Sequence, residues 1–131
     1  MKTKFLSIVL LLFSSFIFAE RPADSLFTVI SGDTVHIWNT GVFENCGCLF
    51  TMDVSVSSDT IYVTEIDTSS MWAFCLCYFD LRVSITGLQS GSYHVEVFRK
   101  FFLLPETTTY IGSFLFFYGG IFNEFISKRM L

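Results

Sequence analysis

The sequence predicts an all-β fold in which two sheets pack as a sandwich, and three observations support this prediction. Short segments of alternating apolar and polar residues recur at a spacing of roughly ten residues, which is typical of sandwiches and barrels. Gly, Ser, Asn and Asp residues that favour turns separate these segments. Hydrophobic residues make up 52% of the chain, a fraction too high for a disordered protein. We therefore expect a buried core between two sheets.

The N-terminal segment predicts a secretory signal peptide. Two lysines precede an uncharged apolar run over residues 5–18, and the small residue Ala19 closes this run. The run is too short to span a bilayer as a helix. We therefore expect residues 1–19 to be a signal peptide and residues 20–131 to form one β-sandwich domain. The mature protein is then expected to be secreted or periplasmic.

The strands of the first half are predicted from turns and alternation. The segments Phe27–Ile30 and Thr34–Trp38 are separated by Ser-Gly-Asp, which suits a hairpin turn. In Cys46–Val56 the even positions carry Cys, Phe, Met and Val, and the odd positions between them are mainly Gly, Thr, Asp and Ser. Because successive side chains of a strand point to opposite faces, the even positions are expected to be buried. Thr60–Ile66 follows as a short β-rich strand.

The second half contains the strongest alternation of the chain. From Cys75 to Ile85 the odd positions carry Cys, Phe, Leu, Val and Ile, and are expected to face the core. Tyr93–Phe98 alternates in the same way. We predict that Tyr110–Phe122 is a buried strand followed by a turn, because this segment is too short for a membrane helix. A membrane-associated tail and an interface strand are the alternatives.

The four cysteines form two Cys-x-Cys pairs, and both pairs are in phase with the predicted buried faces. Export places them in an oxidising compartment, where thiols persist as disulfides. We predict two bridges that join Cys46 and Cys48 to Cys75 and Cys77. Antiparallel segments would give 46–77 with 48–75, and parallel segments would give 46–75 with 48–77. In a simple meander the Thr60–Ile66 strand would separate the two pairs, so the bridges also predict that the chain changes sheet.

A metal site is the alternative interpretation of these cysteines. Four thiolates could bind zinc, which would make the protein a periplasmic metal-handling protein. The spacing of one residue differs from the Cys-x-x-Cys arrangement that is usual both for zinc knuckles and for redox pairs. We therefore predict that the protein contains no metal and no cofactor.

The composition and motifs predict neither an enzyme nor a nucleic-acid-binding protein. The chain has a net charge of −4 and no cluster of Lys or Arg that could neutralise phosphates. It contains no Gly-x-Ser-x-Gly elbow, no His-Glu-x-x-His motif and no phosphate-binding glycine loop. Its two histidines, His36 and His94, lie in the polar phase of their predicted strands. No residue is therefore predicted to be catalytic.

The stretch ITGLQSGSYHVEV resembles the turn and following strand of immunoglobulin-like and fibronectin type III-like modules. The matching residues, within a resemblance that covers residues 79–98, are Leu88, Gly91, Tyr93, Val95 and Val97. This resemblance implies an antiparallel Greek-key β-sandwich of the immunoglobulin-like class, here stapled by disulfides. It also implies a structural corner, at which the Tyr93 hydroxyl bonds back to upstream backbone.

Apolar residues outside the predicted core suggest a partner surface. Leu76 and Tyr78 lie in the outward phase of their strand. A second apolar cluster follows the Tyr93 strand and consists of Phe98, Phe101, Phe102 and Leu103. We therefore expect an exported, non-catalytic module with a binding or structural role at the bacterial cell envelope. Its partner would be a protein or a glycan, and contact of residues 110–122 with a membrane is not expected.

Overall fold

The computed structural model describes the backbone of residues 24–101 and 104–119, and the side chains of 24–101 and 107–119. Within these residues the fold is all-β, with strands in two sheets. The strands are β1 (Ser25–Ser31), β2 (Thr34–Asn45), β3 (Phe50–Ser57), β4 (Thr60–Asp67), β5 (Leu76–Thr86), β6 (Gly91–Phe101) and β7 (Leu104–Tyr118). The predicted signal peptide lies outside the described residues.

The chain changes sheet between hairpins. One sheet has the order β1-β2-β5, and the other has the order β3-β4-β6-β7. The hairpins β1/β2, β3/β4 and β6/β7 are antiparallel, as is the pair β2/β5. Because β3 and β4 belong to the second sheet, β2 and β5 become neighbours. The predicted change of sheet between the two cysteine pairs is therefore confirmed.

One strand pair departs from the predicted antiparallel arrangement. β4 and β6 run parallel, with Thr60 opposite His94 and Asp67 opposite Phe101. Parallel neighbours need a long crossover connection. Here the chain crosses to the other sheet, forms β5 and returns, which supplies that length.

The core lies between the two sheets and is built mainly from alternate β-branched residues. The fully buried aliphatic residues on β2, β4 and β6 are Val35, Ile37, Val42, Ile61, Val63, Val95 and Val97. Branched side chains pack well on a pleated surface. Burial of each contributes roughly 1.5–3 kcal/mol relative to exposure. The alternation that predicted the fold thus coincides with the core.

A bulge makes β2 longer than the predicted segment Thr34–Trp38. Two residues of β2, the second of them Gly41, lie opposite the single residue Asp80 of β5. Gly41 has a φ of +74°, a conformation that glycine adopts without steric cost, and its N–H donates to Asp80 Oδ1 at 3.2 Å. The bulge changes the phase of the strand, so that both Asn39 and Val42 are buried.

The predicted strand Cys46–Val56 is wrong at its start, and the predicted burial is wrong at its end. Its first four residues form a turn, and β3 begins only at Phe50. Gly47, whose N–H donates a hydrogen bond to Asn45 Oδ1, favours the turn over an extended strand. At the other end Val56 is 46% exposed, because it lies beside the turn that leads to β4.

The predicted strand Tyr110–Phe122 is buried on one face only. It overlaps β7 as far as Tyr118, and its residues 120–122 lie outside the described part of the chain. Phe116 faces the core, whereas Leu115 and Phe117 are each 69% exposed. This follows from the pleat of β7, because alternate side chains point to the core and to solvent in a sheet that is covered on one face. No helix among the described residues is long and apolar enough to cross a bilayer.

Candidate functional site

Two connections lie against each other at one end of the sandwich. They are residues 46–49, between β2 and β3, and residues 68–75, between β4 and β5, and we call them the paired loops. A disulfide joins Cys46 to Cys77, with the two Cα atoms 4.9 Å apart. The Cys46 N–H also donates to the Cys75 carbonyl at 3.0 Å. The start of β5 is therefore fixed to the end of β2.

The Asn45 side chain holds the paired loops together. Its Nδ2 donates to the Ala73 carbonyl at 2.5 Å, and its Oδ1 accepts from the N–H groups of Ala73 at 2.8 Å and Gly47 at 2.9 Å. A Cβ atom on Gly47 would lie only 2.8 Å from the Met71 carbonyl oxygen. The close approach of the two loops therefore requires glycine at this position.

Asp67 is a second anchor of the paired loops. Its buried Oδ1 accepts hydrogen bonds from the N–H groups of Leu49 at 3.0 Å and Ser69 at 2.9 Å. Burial by itself raises the pKa of this carboxyl, but the hydrogen bonds from Ser69, Leu49 and the Cys48 thiol outweigh burial and lower the pKa below its ordinary value. Asp67 is thus held in the charged form that binds both loops.

Exposed apolar side chains concentrate on the paired loops and on the adjoining start of β5. We call these residues the aromatic set: Leu49, Met71, Trp72, Phe74, Leu76 and Tyr78, which are between 59% and 110% exposed. Leu76 and Tyr78, the residues expected in the outward phase of β5, belong to this set. The Tyr78 ring also packs against Phe43, with the ring centroids 4.7 Å apart.

The second predicted partner surface has a different environment. Phe98 and Phe101 on β6 are half-buried, and the Phe98 ring packs edge-on against Tyr110 of β7 at 5.6 Å. Phe102 and Leu103 lie outside the described residues. Phe98 and Phe101 are therefore less exposed than the six residues at the paired loops and the start of β5.

The structure forms one of the two predicted bridges. Cys46 and Cys77 are joined, whereas Cys48 and Cys75 are free thiols, so the prediction of a second bridge is wrong. Because residues 46–49 form a turn and not a strand, the sulfurs of Cys46 and Cys48 do not lie side by side. Cys48 is buried against Asp67, whereas Cys75 is exposed at the end of its loop.

The two free thiols have opposite surroundings. Burial, the hydrogen bond to Asp67 and the negative charges of Asp67 and Glu44 together raise the pKa of the Cys48 thiol to about 12. Cys75 instead lies close to the disulfide. The Sγ atoms of Cys46, Cys75 and Cys77 are all within 4.8 Å of one another.

A buried ionic cluster lies between the sheets, and the sequence analysis did not identify it. Arg99 on β6 donates to Glu65 on β4, to Asp24 before β1 at 2.6 Å and to Glu44 on β2 at 3.3 Å. Asn39 Nδ2 donates to Glu65 at 2.6 Å. The signal was present in the sequence, because Glu65 and Arg99 occupy the buried phase of their strands. Arg99 pairs with all three carboxylates of the cluster, which indicates a structural role.

The structure places the predicted corner residues at the start of β6. The Tyr93 hydroxyl donates to the Gln89 carbonyl at 2.8 Å, and the Tyr93 ring stacks on Phe116 with centroids 5.7 Å apart. Leu88 is half-buried and packs against the core, and Gly91 is the first residue of the strand.

The histidines do not converge with each other. His36 lies on β2 and bonds Ser84 at 2.7 Å, whereas His94 lies on β6 of the other sheet, 3.8 Å from Glu96. Neither of these contacts involves the paired loops.

A scan of family models, a search of curated proteins and a search of solved structures each found no match to this chain. The site is therefore interpreted from its own geometry. That geometry combines a rigid apolar surface, which is suited to binding, with a cluster of sulfur atoms, which is suited to thiol chemistry.

Proposed function

We propose that this chain is an exported, non-catalytic β-sandwich module that binds a protein at the bacterial cell envelope through the aromatic set. The observation that carries the proposal is that six large apolar side chains are exposed together, four on the paired loops and two at the start of β5, where a disulfide and buried polar anchors hold the backbone in place. Concentrated apolar exposure of this kind is typical of interaction sites. Loops positioned by a rigid scaffold are also the usual place for binding residues.

The anchoring of the loops favours affinity. The side chains of Asn45 and Asp67 accept or donate hydrogen bonds with both paired loops, and the disulfide ties Cys46 to β5. Binding therefore requires little ordering of the loop backbone. Aromatic side chains such as Trp72 and Phe74 have few rotatable bonds and provide large contact area, which makes them effective anchors.

The chemistry of the surface favours a protein over a glycan. A glycan site needs polar side chains beside the rings to bind the sugar hydroxyls. The exposed polar residues of the loop that carries Trp72 are Thr68 and Ser70, and the Thr68 hydroxyl already donates to the Leu49 carbonyl at 3.0 Å. An apolar protein surface, or an apolar peptide segment, matches this composition better.

The experiment compares two variants with the same kind of change at opposite ends of the sandwich. In the test variant Trp72→Ala and Phe74→Ala are combined, and in the control Leu115→Ala removes a side chain on β7 that is 69% exposed, the same fraction as Trp72. Peptides selected on the wild-type protein from a displayed library are then titrated against all three proteins, with a glycan array in parallel.

We expect the double variant to weaken peptide binding by about tenfold or more, which corresponds to about 1.4 kcal/mol, and the control to bind as the wild type does. Equal binding by the double variant and the wild type would overturn the assignment of the aromatic set. Selective binding to glycans with no selected peptide would overturn the choice of a protein partner.

The proposal includes an immunoglobulin-like relationship for the sandwich. In immunoglobulin domains the first, second and fifth strands share one sheet, and the third, sixth and seventh share the other. β1, β2 and β5, and β3, β6 and β7, are distributed in this way. The bond from Tyr93 to the Gln89 carbonyl has the form of the tyrosine corner. β4 departs from the pattern, because it lies between β3 and β6 and is parallel to β6.

Metal handling is the second candidate function, and the proximity of the three sulfur atoms of Cys46, Cys75 and Cys77 favours it. Three thiolates would bind a soft or borderline ion such as Zn²⁺ and leave one coordination position open. Two of these sulfurs are joined, so binding would require reduction of the bridge. Metal analysis of the protein purified with and without reductant tests this function. Less than one equivalent of bound metal in both preparations would exclude it.

A further inference from the structure

The exposed Cys75 thiol lies beside an existing disulfide. Its Sγ is within 4.8 Å of the Sγ atoms of both Cys46 and Cys77, which are bonded to each other. A thiolate attacks a disulfide by approaching one of its two sulfur atoms. A rotation of the Cys75 side chain, which is at the surface, is sufficient to vary this distance. The cluster therefore places a nucleophile, the Cys75 sulfur, beside an electrophile, the disulfide between Cys46 and Cys77.

The backbone register determines which sulfur is attacked. Glu44 pairs with Cys77 and Asn45 pairs with Leu76, so Cys46 and Cys75 are the next partners across the two strands. The hydrogen bond from the Cys46 N–H to the Cys75 carbonyl continues this register. Directly opposed residues have Cα atoms about 4.5–5.5 Å apart, within the range that a disulfide spans.

A bond between Cys75 and Cys77 is much less favourable. Cys75 is the residue before β5 and Cys77 is the second residue of that strand, and a rise of about 3.3 Å per residue in an extended chain places such Cα atoms roughly 6.6 Å apart. A disulfide needs Cβ atoms about 3.5–4.5 Å apart. Cys46 is therefore the sulfur that Cys75 can reach to form a stable new bridge.

We propose that Cys46, Cys75 and Cys77 form an intramolecular thiol–disulfide exchange site. The Cys75 thiolate attacks the Cys46 Sγ, a Cys46–Cys75 bond forms, and the Cys46–Cys77 bond breaks. The bonding electron pair leaves with the Cys77 sulfur, which takes up the proton that Cys75 lost. The number of disulfides and of free thiols is unchanged, so the step needs no oxidant and no reductant.

Cys48 takes no part in this exchange. It is buried, and the hydrogen bond of its thiol to Asp67 directs it away from the cluster. The raised pKa of Cys48 also keeps it in the thiol form, which is not the attacking species. The exchange moves the bridge from β5 into the loop, next to Phe74 of the aromatic set. The inference does not depend on the proposed binding function, because it concerns the sulfur chemistry alone.

The test traps the disulfide isomers of the full mature protein. The protein is incubated without reductant at pH 8.5, quenched with acid, unfolded and alkylated with N-ethylmaleimide. Cleavage by chymotrypsin after Leu76 separates Cys75 from Cys77 for mass spectrometry. We expect label on Cys77 at a level of at least about one tenth of that on Cys75, since a tenfold ratio corresponds to about 1.4 kcal/mol between the isomers. Label on Cys75 and Cys48 with none on Cys77 would overturn the proposal.

Two variants complete the test. In Cys48→Ala the label should still divide between Cys75 and Cys77, and its loss from Cys77 would mean that Cys48 carries the exchange, contrary to the proposal. In Cys77→Ser we expect Cys46 and Cys75 to be joined, so that unfolding without reductant exposes one thiol only. Three reactive thiols in folded Cys77→Ser protein would show that the new bridge cannot form. If Cys77→Ser does not fold, the wild-type and Cys48→Ala experiments decide the proposal.

Discussion

The Arg99 guanidinium donates two hydrogen bonds to one oxygen of Glu65, Oε2, from Nε at 2.9 Å and from Nη2 at 2.7 Å. Both residues are buried between the sheets, Glu65 with 0% and Arg99 with 6% exposure. Arg99 is also the shared partner of two further carboxylates, those of Asp24 and Glu44. Arg99 therefore pairs with three carboxylates inside the sandwich, and its removal should be much more costly than loss of a surface ion pair.

Replacement of Arg99 by Ala should lower the free energy of unfolding by roughly 3–5 kcal/mol, because it leaves Glu65 as an uncompensated buried charge. The measurement is urea unfolding followed by tryptophan fluorescence. Arg82→Ala is the matched control, since the Arg82 guanidinium lies over the Trp38 ring on the outer face, at 5.3 Å from the centroid. The control should lose about 1 kcal/mol or less. Equal losses in the two variants would contradict the structural role of the cluster.

Glu65 should make stability fall as pH rises above about 4.5. Burial raises its pKa from the ordinary value of 4.5, more than the bonds from Asn39 and Arg99 lower it. In the range between 4.5 and the raised pKa, the folded protein binds more protons at this site than the unfolded chain does, so ionisation of Glu65 destabilises the fold. Unfolding curves at several pH values compare wild type with Glu65→Gln.

The informative quantity is the slope, against pH, of the stability of the wild type relative to Glu65→Gln. The stability of the wild type relative to Glu65→Gln should decrease as pH rises from 4.5 toward neutral, and the difference should become constant above the raised pKa. A relative stability of the wild type that increases over this range would show that pairing with Arg99 dominates over burial.

Gly41→Ala should destabilise the fold by roughly 1–2 kcal/mol, because an alanine at a φ of +74° is strained. A Cβ at this position has no atom within 4 Å, so the cost comes from the backbone alone. Gly91→Ala is the control, since its Cβ also meets no atom within 4 Å and its φ is not in the positive region. We expect the control to change stability by about 0.5 kcal/mol or less. Similar midpoints for the two variants in thermal unfolding would mean that the β2 bulge does not require glycine.

Tyr93→Phe should lower stability by roughly 0.5–1.5 kcal/mol, because it removes the hydrogen bond from the hydroxyl to the Gln89 carbonyl and keeps the ring on Phe116. Tyr62→Phe is the control on a partly exposed side chain of β4 and should be near neutral. Denaturant midpoints and slopes measure both changes. Coincident curves for Tyr93→Phe and the wild type would show that the corner contributes no stability.

The free thiols should differ strongly in reactivity. Iodoacetamide added to the native protein at pH 8 should modify one thiol per chain within the cluster of Cys46, Cys75 and Cys77, and Cys48 should react only after unfolding. Cys48 is protected because it is buried and because its pKa is about 12, so that almost no thiolate is present. Mass spectrometry before and after denaturation gives the count. Modification of Cys48 in the native protein would contradict its placement against Asp67.

Local alternation in the sequence was enough to identify the β-rich segments and the buried phase of most of them. The odd positions from Cys77 to Ile85 and the alternate positions Tyr93, Val95 and Val97 face inward, as a period of two residues requires. Cys75, which the same alternation placed on the core face, is exposed because it lies in the loop before β5. The change of sheet between the cysteine pairs could also be deduced, because a bridge requires the strands to be neighbours.

The same alternation did not identify the inward-facing charges. The sequence does not identify Glu65 and Arg99 as a buried pair, because the residues near each of them in the sequence do not show which opposite charge it contacts. The partners of these two residues are Asn39 on β2 and Asp24 before β1. They are distant along the chain and become neighbours only in the sandwich. Likewise, the parallel pairing of β4 with β6 arises from a crossover through the other sheet, which no local pattern encodes.

The sequence by itself determined that this protein is made of strands with one apolar face, because side-chain alternation is a property of each segment alone. Only the tertiary structure decided that Cys46 pairs with Cys77, that Cys48 turns toward Asp67 and that the aromatic set remains exposed. The reason is that these outcomes depend on a turn at Gly47 and on two loops that meet only after the sheets have packed. The free energy of each contact is then set by residues far away in the chain.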